Sequence, residues 1–469
     1  MSTTFNLSRR RFVGSLAAAC AGPYALWAVE TPIIKIGAIS DTHVRKGDGQ
    51  SALALQKAFR RFAAEGVRAV VISGDICHQG TLDELEIVMD AWRQAFPGGK
   101  TLSGEKVEPF FVFGNHDYHA SGLLHAGKAT TDEDRRNGIL FNKDAAWRMI
   151  TGEERFPGEI VRRDIGGVVF IGAHWSHEAE VAPWLAAHAQ ELPRDRPVIY
   201  VQHPHPKGTC FGKWTSSDRG ENHDALMRWP NLFAISGHSH VSVSYDDALW
   251  MGGFCSMGAG STCRTQARRY EYDAALSKMA VKRGTTRHMP AVSHGGGWQS
   301  SVLSIYPSRI IVSRWEHRHD ERLGEDWNIP FPFRHDPASP YRLAASAPAP
   351  EFPSGAGIEV SETDGFLYPA KTPERQLRLS FPAAKSVGAY GRVIDYRVEV
   401  LDESTGRTVA ERLVQQEWAT LAESRALTRK GWCAFGRDEL PAGARLAFRV
   451  TPINAGGKGG RPLTGRFTA

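Results

Sequence analysis

Short apolar runs alternate with amphipathic helical stretches through the first half of the sequence, and this alternation restricts the fold more than any other feature. Ile33–Ile39, Val67–Ile72, Phe110–Phe113, Pro197–Val201 and Leu232–Ile235 read as strands, while Ser51–Glu65 and Leu82–Phe96 carry apolar residues at helical spacing. Strands that are apolar on both faces must be covered on both faces, so the pattern predicts a layered α/β sheet. Ile160–Asp164 and Val168–Ala173 read as a hairpin about Gly166-Gly167, and Trp184–Glu191 and Asn222–Arg228 as helices. Cys255–Gly260 and Val302–Arg314 read as strands that complete a second sheet.

The main strands share a second property: each runs into a polar knot. The knots are Ser40-Asp41-Thr42-His43, Gly74-Asp75, Gly114-Asn115-His116-Asp117, Gln202-His203-Pro204-His205 and Gly237-His238-Ser239-His240. Loops at the carboxyl ends of strands in an α/β sheet converge at one edge, so these residues are expected to line one cleft. Carboxylates, imidazoles and one amide oxygen make a mixed nitrogen and oxygen donor set, which suits first-row transition ions better than calcium or magnesium. Asp41, His43, Asp75, Asn115, His203, His238 and His240 are too many donors for one tetrahedral ion and suit two ions sharing a carboxylate. Gly237 is expected to let the backbone turn sharply ahead of His238.

In this order, the blocks resemble the calcineurin-like metallophosphoesterase superfamily, over roughly Ile33–His317. The resemblance implies a four-layer α/β/β/α sandwich holding two divalent or trivalent transition-metal ions (iron, manganese or zinc). It assigns Asp41, His43 and His240 to the first metal, Asn115, His203 and His238 to the second, and Asp75 to both. His203 sits directly at its strand end and is preferred to His205. His116 would be the general acid, with Asp117 orienting its imidazole. The implied reaction is hydrolysis of a small phosphate mono- or diester, by in-line attack of a hydroxide held between the two cations. A nucleotide or cyclic-nucleotide phosphodiesterase, or a non-catalytic metal- or partner-binding module, are the alternatives. His78 stands where purple acid phosphatases carry a metal-bound tyrosine, which disfavours that branch. His78, His119, His174 and His205 are candidate substrate contacts, and specificity is expected in the loops around Asp134, Trp175 and Trp214.

The two ends of the chain have other compositions. Ser8-Arg9-Arg10-Arg11-Phe12-Val13 followed by the uncharged run Gly14–Val29 resembles a twin-arginine export signal, spanning residues 1–29. The run is short of the ~20 apolar residues of a spanning helix and contains Pro23, so a membrane anchor or lipidation at Cys20 is the lesser alternative. The resemblance implies the twin-arginine translocation machinery as a partner and a periplasmic or secreted location. That route carries folded, cofactor-loaded proteins. Residues 30–336 are expected to form the catalytic domain and 337–353, rich in Pro, Ala and Ser, a linker. Residues 354–469 alternate as strands (Gln376–Phe381, Asp395–Leu401, Leu446–Thr451) and resemble a fibronectin type III or other immunoglobulin-like β-sandwich. The net charge of +6 is spread along the chain, so no nucleic-acid binding is expected. Five cysteines lie beyond residue 29, an odd number at irregular spacing. This is not a disulfide framework, although Cys255 and Cys263 could bridge in an oxidising compartment.

Overall fold

The first strand to form the sheet is β1 (Ile34–Ile39), followed by helix α1 (Gly49–Glu65), β2 (Ala69–Ser73), helix α2 (Leu82–Ala95) and β3 (Glu108–Val112). The computed structural model describes residues 30–118, 131–210, 221–263, 265, 297–333, 347–365, 372–414 and 420–468. The export-signal stretch, His119, Trp214 and most of the expected linker lie outside them. Helix α1 starts where the Asp48 side chain accepts from the Gln50 N–H and stops at Gly66, whose φ of 69° an L side chain tolerates poorly. Helix α2 is capped by the Thr81 hydroxyl and opens with Asp83 and Glu84, which oppose the positive end of its dipole.

Next come β4 (Ile160–Ile165), β5 (Val168–Ala173), β6 (Val198–Gln202), β7 (Leu232–Ser236), β8 (Leu249–Met251) and β9 (Cys255–Gly258). Then follow β10 (Gln299–Ile305), β11 (Arg309–Glu316), β12 (Glu321–Arg322) and β13 (Trp327–Pro330). They make two mixed sheets. One has the order β12-β11-β10-β1-β2-β3 with β13 on β11; the other has the order β4-β5-β6-β7-β9-β8. β1, β2 and β3 are parallel, as are β5, β6, β7 and β9.

Alternate residues of these strands decide the layers. Ile36, Ala38, Val71, Phe110 and Val112 of one sheet share a core with Phe170, Ile199, Val201, Phe233 and Ile235 of the other. The opposite faces, Val70, Ile72 and Phe111 on one side and Ile171, Tyr200 and Ala234 on the other, pack under α1 and α2 and under Val181 and Leu185 of the helix Val181–Ala187. Helix, sheet, sheet and helix are therefore stacked.

Several expectations change: the helix read as Trp184–Glu191 runs instead over Val181–Ala187. Val302–Arg314 is not one strand: the chain reverses at Tyr306, whose N–H donates to the Arg309 carbonyl at 2.9 Å, giving the hairpin of β10 and β11. This hairpin extends the first sheet, because β10 pairs with β1 in the register Ile36 to Leu303. Pro307-Ser308 was the turn signal. Cys255 and Cys263 are both free thiols.

The C-terminal strands are β14 (Glu359–Gly365), β15 (Glu374–Pro382), β16 (Val393–Asp402), β17 (Thr408–Val414), β18 (Lys430–Gly436), β19 (Arg445–Asn454) and β20 (Leu463–Thr468). All pair antiparallel, in a three-stranded sheet β14-β15-β18 and a four-stranded sheet β17-β16-β19-β20. Leu377, Leu379 and Phe381 face Tyr396, Val398, Val400, Phe448 and Val450 in their own core. Residues 347–353 of the expected linker belong with these sheets: Ala347 is buried, Asn454 donates to the Pro348 carbonyl and Glu351 bridges to Lys385. Both parts fall within one compact unit, Pro32–Ala469. They meet where Ile394 packs on Tyr245, the Tyr390 hydroxyl donates to the Asp326 carbonyl and Arg425 pairs with Glu321. No helix among the described residues is long and apolar enough to cross a membrane.

Candidate metal centre

The strand ends of both sheets bring the polar knots together. Beyond β1 and β2 the two loops stay in register: Asp41 N–H donates to the Gly74 carbonyl at 3.0 Å and His43 N–H to the Asp75 carbonyl at 2.9 Å. The loop after β7 is tied to that after β6 by Gly237 N–H on the His203 carbonyl at 2.7 Å. Asp41, His43, Asp75, His238 and His240 all have positive φ, between 42° and 67°. The left-handed region is unfavourable for residues with a Cβ, and such conformations persist where the surroundings impose them, commonly at functional sites.

Close approach is what the glycines supply. A Cβ on Gly237 would lie 1.7 Å from Ser40 Oγ and 2.5 Å from Asp41 Oδ2, and one on Gly114 would lie 2.4 Å from Asp75 Oδ1. Gly237 is therefore required for space against the neighbouring loop; its φ is not in the left-handed range, so the expected sharp turn is not its reason.

The expected ligands fall into two donor groups, and His43 also meets His78 and His116 in a third. Asp41, His43, Asp75 and His240 form the first, and Asp75, His203 and His238 the second, with the donor atoms of each group within 4.8 Å of one another. Asn115 completes the second, its Oδ1 lying 3.0 Å from His203 Nε2 and 3.1 Å from His238 Nδ1. Asp75 belongs to both. Its Oδ2 is 3.5 Å from His43 Nε2 and 3.2 Å from His203 Nε2, while its Oδ1 accepts the His116 backbone N–H at 2.8 Å. His203, rather than His205, stands in this cluster; His205 Nε2 lies against Ser239 Oγ at 2.9 Å.

The hydrogen bonding shows that these residues fit cations. His203 donates Nδ1–H to the Ser73 carbonyl at 2.8 Å, and His240 donates Nδ1–H to the Cys263 carbonyl at 2.8 Å. In its neutral form each ring would present an Nε2 lone pair to further acceptors: Asn115 Oδ1 and Asp75 Oδ2 for His203, Asp41 Oδ1 at 3.3 Å for His240. Lone pairs crowded at such distances in a buried site repel one another unless positive charge sits among them. Burial pulls the His203 pKa down, but the Asp75 and Asp41 carboxylates outweigh it and push the pKa up to about 10, so positive charge, as a proton on the ring or as a cation, is held among these groups.

His116 and Asp117 lie beside the cluster, with roles that partly differ from expectation. His116 Nδ1 donates to the His78 carbonyl at 2.8 Å, and this bond orients the ring. The Asp117 carboxylate accepts from the backbone N–H groups of Ile76, Cys77 and Gly114 at 3.2, 2.8 and 2.8 Å, so it ties the loop after β2 to the loop after β3. Burial and the nearby Asp75 charge push its pKa up to about 7. A carboxylate surrounded by three N–H groups serves the backbone; a carbonyl does the positioning that the resemblance gave to Asp117.

Of the candidate substrate contacts, His78 is half-buried, with its ring centroid 5.3 Å from that of His116, and Trp175 is 5.5 Å from His238. His174 is buried: its Nδ1 accepts from the Phe113 N–H at 2.9 Å, and burial first, then nearby positive charge, lowers its pKa to about 3. Asp134 closes a capping box with Thr131 at the start of the helix Asp132–Asn137. The carbonyls of Ser73, His78 and Cys263, which fix three imidazoles, left no trace in the sequence because any residue supplies a carbonyl.

Residues 34–242 match the family profile described as calcineurin-like phosphoesterase. No curated protein sequence matches the chain. Similar solved structures include a dimetal phosphatase from Danio rerio, with 13% identity and a TM-score of 0.37 over 64% of this chain and 99% of that one. A purple acid phosphatase from yellow lupin is similar at 13% identity and a TM-score of 0.38, over 63% of this chain and 53% of that one.

Proposed function

We propose that this chain, which carries a calcineurin-like phosphoesterase domain over residues 34–242, is an exported hydrolase of phosphate mono- or diesters that works with two transition-metal ions. The observation that carries the reading is Asp75, whose single oxygen Oδ2 faces both His43 and His203 and so joins the two donor groups. Asp41, His43 and His240 would hold one ion and Asn115, His203 and His238 the other. The donor set fits iron, manganese or zinc. When bound, such a pair supplies a nucleophile from water near neutral pH and neutralises charge on the phosphoryl oxygens.

The chain's own residues do the rest. With Nδ1–H held by the His78 carbonyl, His116 can lose a proton only from Nε2, and it can do so only as the imidazolium. That makes it the general acid for the departing alkoxide, a role generally contributing about 10²–10⁴-fold. His116 N–H on Asp75 Oδ1 couples the position of the acid to the shared carboxylate. Trp175, beside His238, and His78, beside His116, would contact the organic part of the ester.

The sequence of residues 1–29 supports export by the twin-arginine route to the periplasm or beyond. The three-plus-four antiparallel strand order supports a fibronectin type III-like reading of the C-terminal part.

The test is elemental analysis of the purified chain beside hydrolysis of chromogenic phosphate mono- and diesters. About two transition ions per chain with turnover is the expected result. Fewer than about one ion after reconstitution, without turnover, would leave a non-catalytic module instead.

A further inference from the structure

We infer that Gln299 is a positioning residue through which the C-terminal β-sandwich holds the loop bearing His238 and His240; the inference rests on the metal reading of that loop. Gln299 opens β10, on the sheet that does not carry the loop, and is fully buried. Its side-chain amide meets three partners. Oε1 accepts the Val243 N–H at 2.9 Å, and Nε2 donates to Ser242 Oγ at 2.8 Å and to the Thr420 carbonyl at 2.6 Å. An amide has two N–H groups, so the donors are used up, one on the segment after His240 and one on the C-terminal part.

Arg314, on the neighbouring strand β11, completes the grip. Its guanidinium donates to the Val243 carbonyl at 2.9 Å, pairs with Asp246 at 3.3 Å and lies over the Trp327 ring. The Val243 peptide, three residues past His240, is thus held at its N–H by Gln299 and at its carbonyl by Arg314. Ile394 of the sandwich adds an apolar contact: it packs with Tyr245, and Val241, the residue after His240, lies against the same pair.

The backbone of Gln299 reaches the site by a second path. Its N–H donates to the Ser261 carbonyl at 2.8 Å, and the Ser261 hydroxyl lies between the Asp41 carbonyl, at 3.0 Å, and the Cys263 carbonyl that holds His240. Because His238 and His240 must keep left-handed backbone to aim their rings, freeing the segment that follows them lets the loop relax away from both donor groups. The sandwich is in this sense part of the metal site, although none of its described residues contributes a donor to it.

The test is Mn²⁺ titration into the metal-free full-length chain, read by calorimetry, with circular dichroism to confirm folding. Gln299→Leu keeps the bulk of the side chain and removes all three side-chain hydrogen bonds; its affinity for Mn²⁺ is expected to fall about 10- to 100-fold. Ile394→Ala acts on the same loop from the sandwich side without removing a hydrogen bond, and a smaller fall in the same direction is expected. It decides the matter if Gln299→Leu does not fold. Arg375→Ala, at an exposed ion pair with Glu362 in the sandwich, is expected to bind Mn²⁺ as the parent does. If the parent binds two ions and both interface variants match it within about twofold, the inference is wrong and the metal site stands. If the parent binds none, the metal reading fails and the inference with it.

Discussion

The α/β part and the C-terminal sandwich are both well packed, but they treat their strand ends differently. In the α/β part, strands end in loops whose Asp and His residues are held in left-handed conformations and whose carboxylates and imidazoles face one another within 4.8 Å in each donor group. In the sandwich Tyr390 is the single non-glycine residue with positive φ among the described residues, and it lies at the contact with the α/β part. All 18 histidines lie at or before residue 335, so the sandwich sequence has none. Left-handed backbone at ligand-bearing residues thus gathers where ligands would bind.

The difference can be broken or sharpened by substitution. The largest effect is expected from Asp75→Asn, which removes the charge common to both donor groups: hydrolysis should fall below detection and elemental analysis should find less than two ions per chain. Retention of two ions and of turnover would mean that the groups do not share Asp75. His116→Gln should lower kcat by about 10²–10⁴-fold for an alkyl phosphate with metal content unchanged. That loss should shrink for a nitrophenyl ester, whose leaving group needs no proton; an equal loss for both esters would exclude the general-acid role.

Gly237→Ala places a Cβ against Ser40 and Asp41 and should cost about 1–3 kcal/mol in chemical denaturation, together with weakened metal binding. Acid should act on the α/β part first. Burial holds His174, His205 and His317 at pKa values of about 3, well below the 6.5 of an unfolded chain. The unfolded chain then binds more protons between those values, so the stabilisation is complete above pH 6.5 and lost as pH falls toward 3. At pH 4.5 each buried neutral histidine contributes a loss on the order of 3 kcal/mol. His317→Asn, remote from the metal donors in sequence, should flatten the decline in unfolding midpoint between pH 6.5 and 4.5; an unchanged slope would remove His317 from the account. The smallest effect belongs to the sandwich. Tyr396→Phe deletes the acceptor of the Ala384 N–H and should cost about 0.5–1.5 kcal/mol, with metal content and turnover unaltered.

Most of the layered architecture was legible because apolar runs buried on both faces leave few alternatives. Ile34–Ile39, Ala69–Ser73, Val198–Gln202 and Leu232–Ser236 lie within a residue or two of the runs that predicted them. The hairpin of β10 and β11 was misread because its turn is brief and its two strands are equally apolar, so periodicity did not separate them. Its sheet was misassigned for a different reason: partner choice depends on which edge is free, and β1 offers one to Leu303 across a separation of more than two hundred residues.

The sequence by itself determined the donor types, their order and their placement at strand ends, since side-chain chemistry and hydrophobic periodicity are both local properties. Only the tertiary structure decided that Asp75 faces both groups, that His203 rather than His205 joins them, that a carbonyl of His78 orients His116 while Asp117 binds backbone, and that Gln299 ties the histidine loop to the sandwich. These relations depend on distances between distant parts of the chain and on backbone groups that every residue possesses, so no pattern of residue types encodes them.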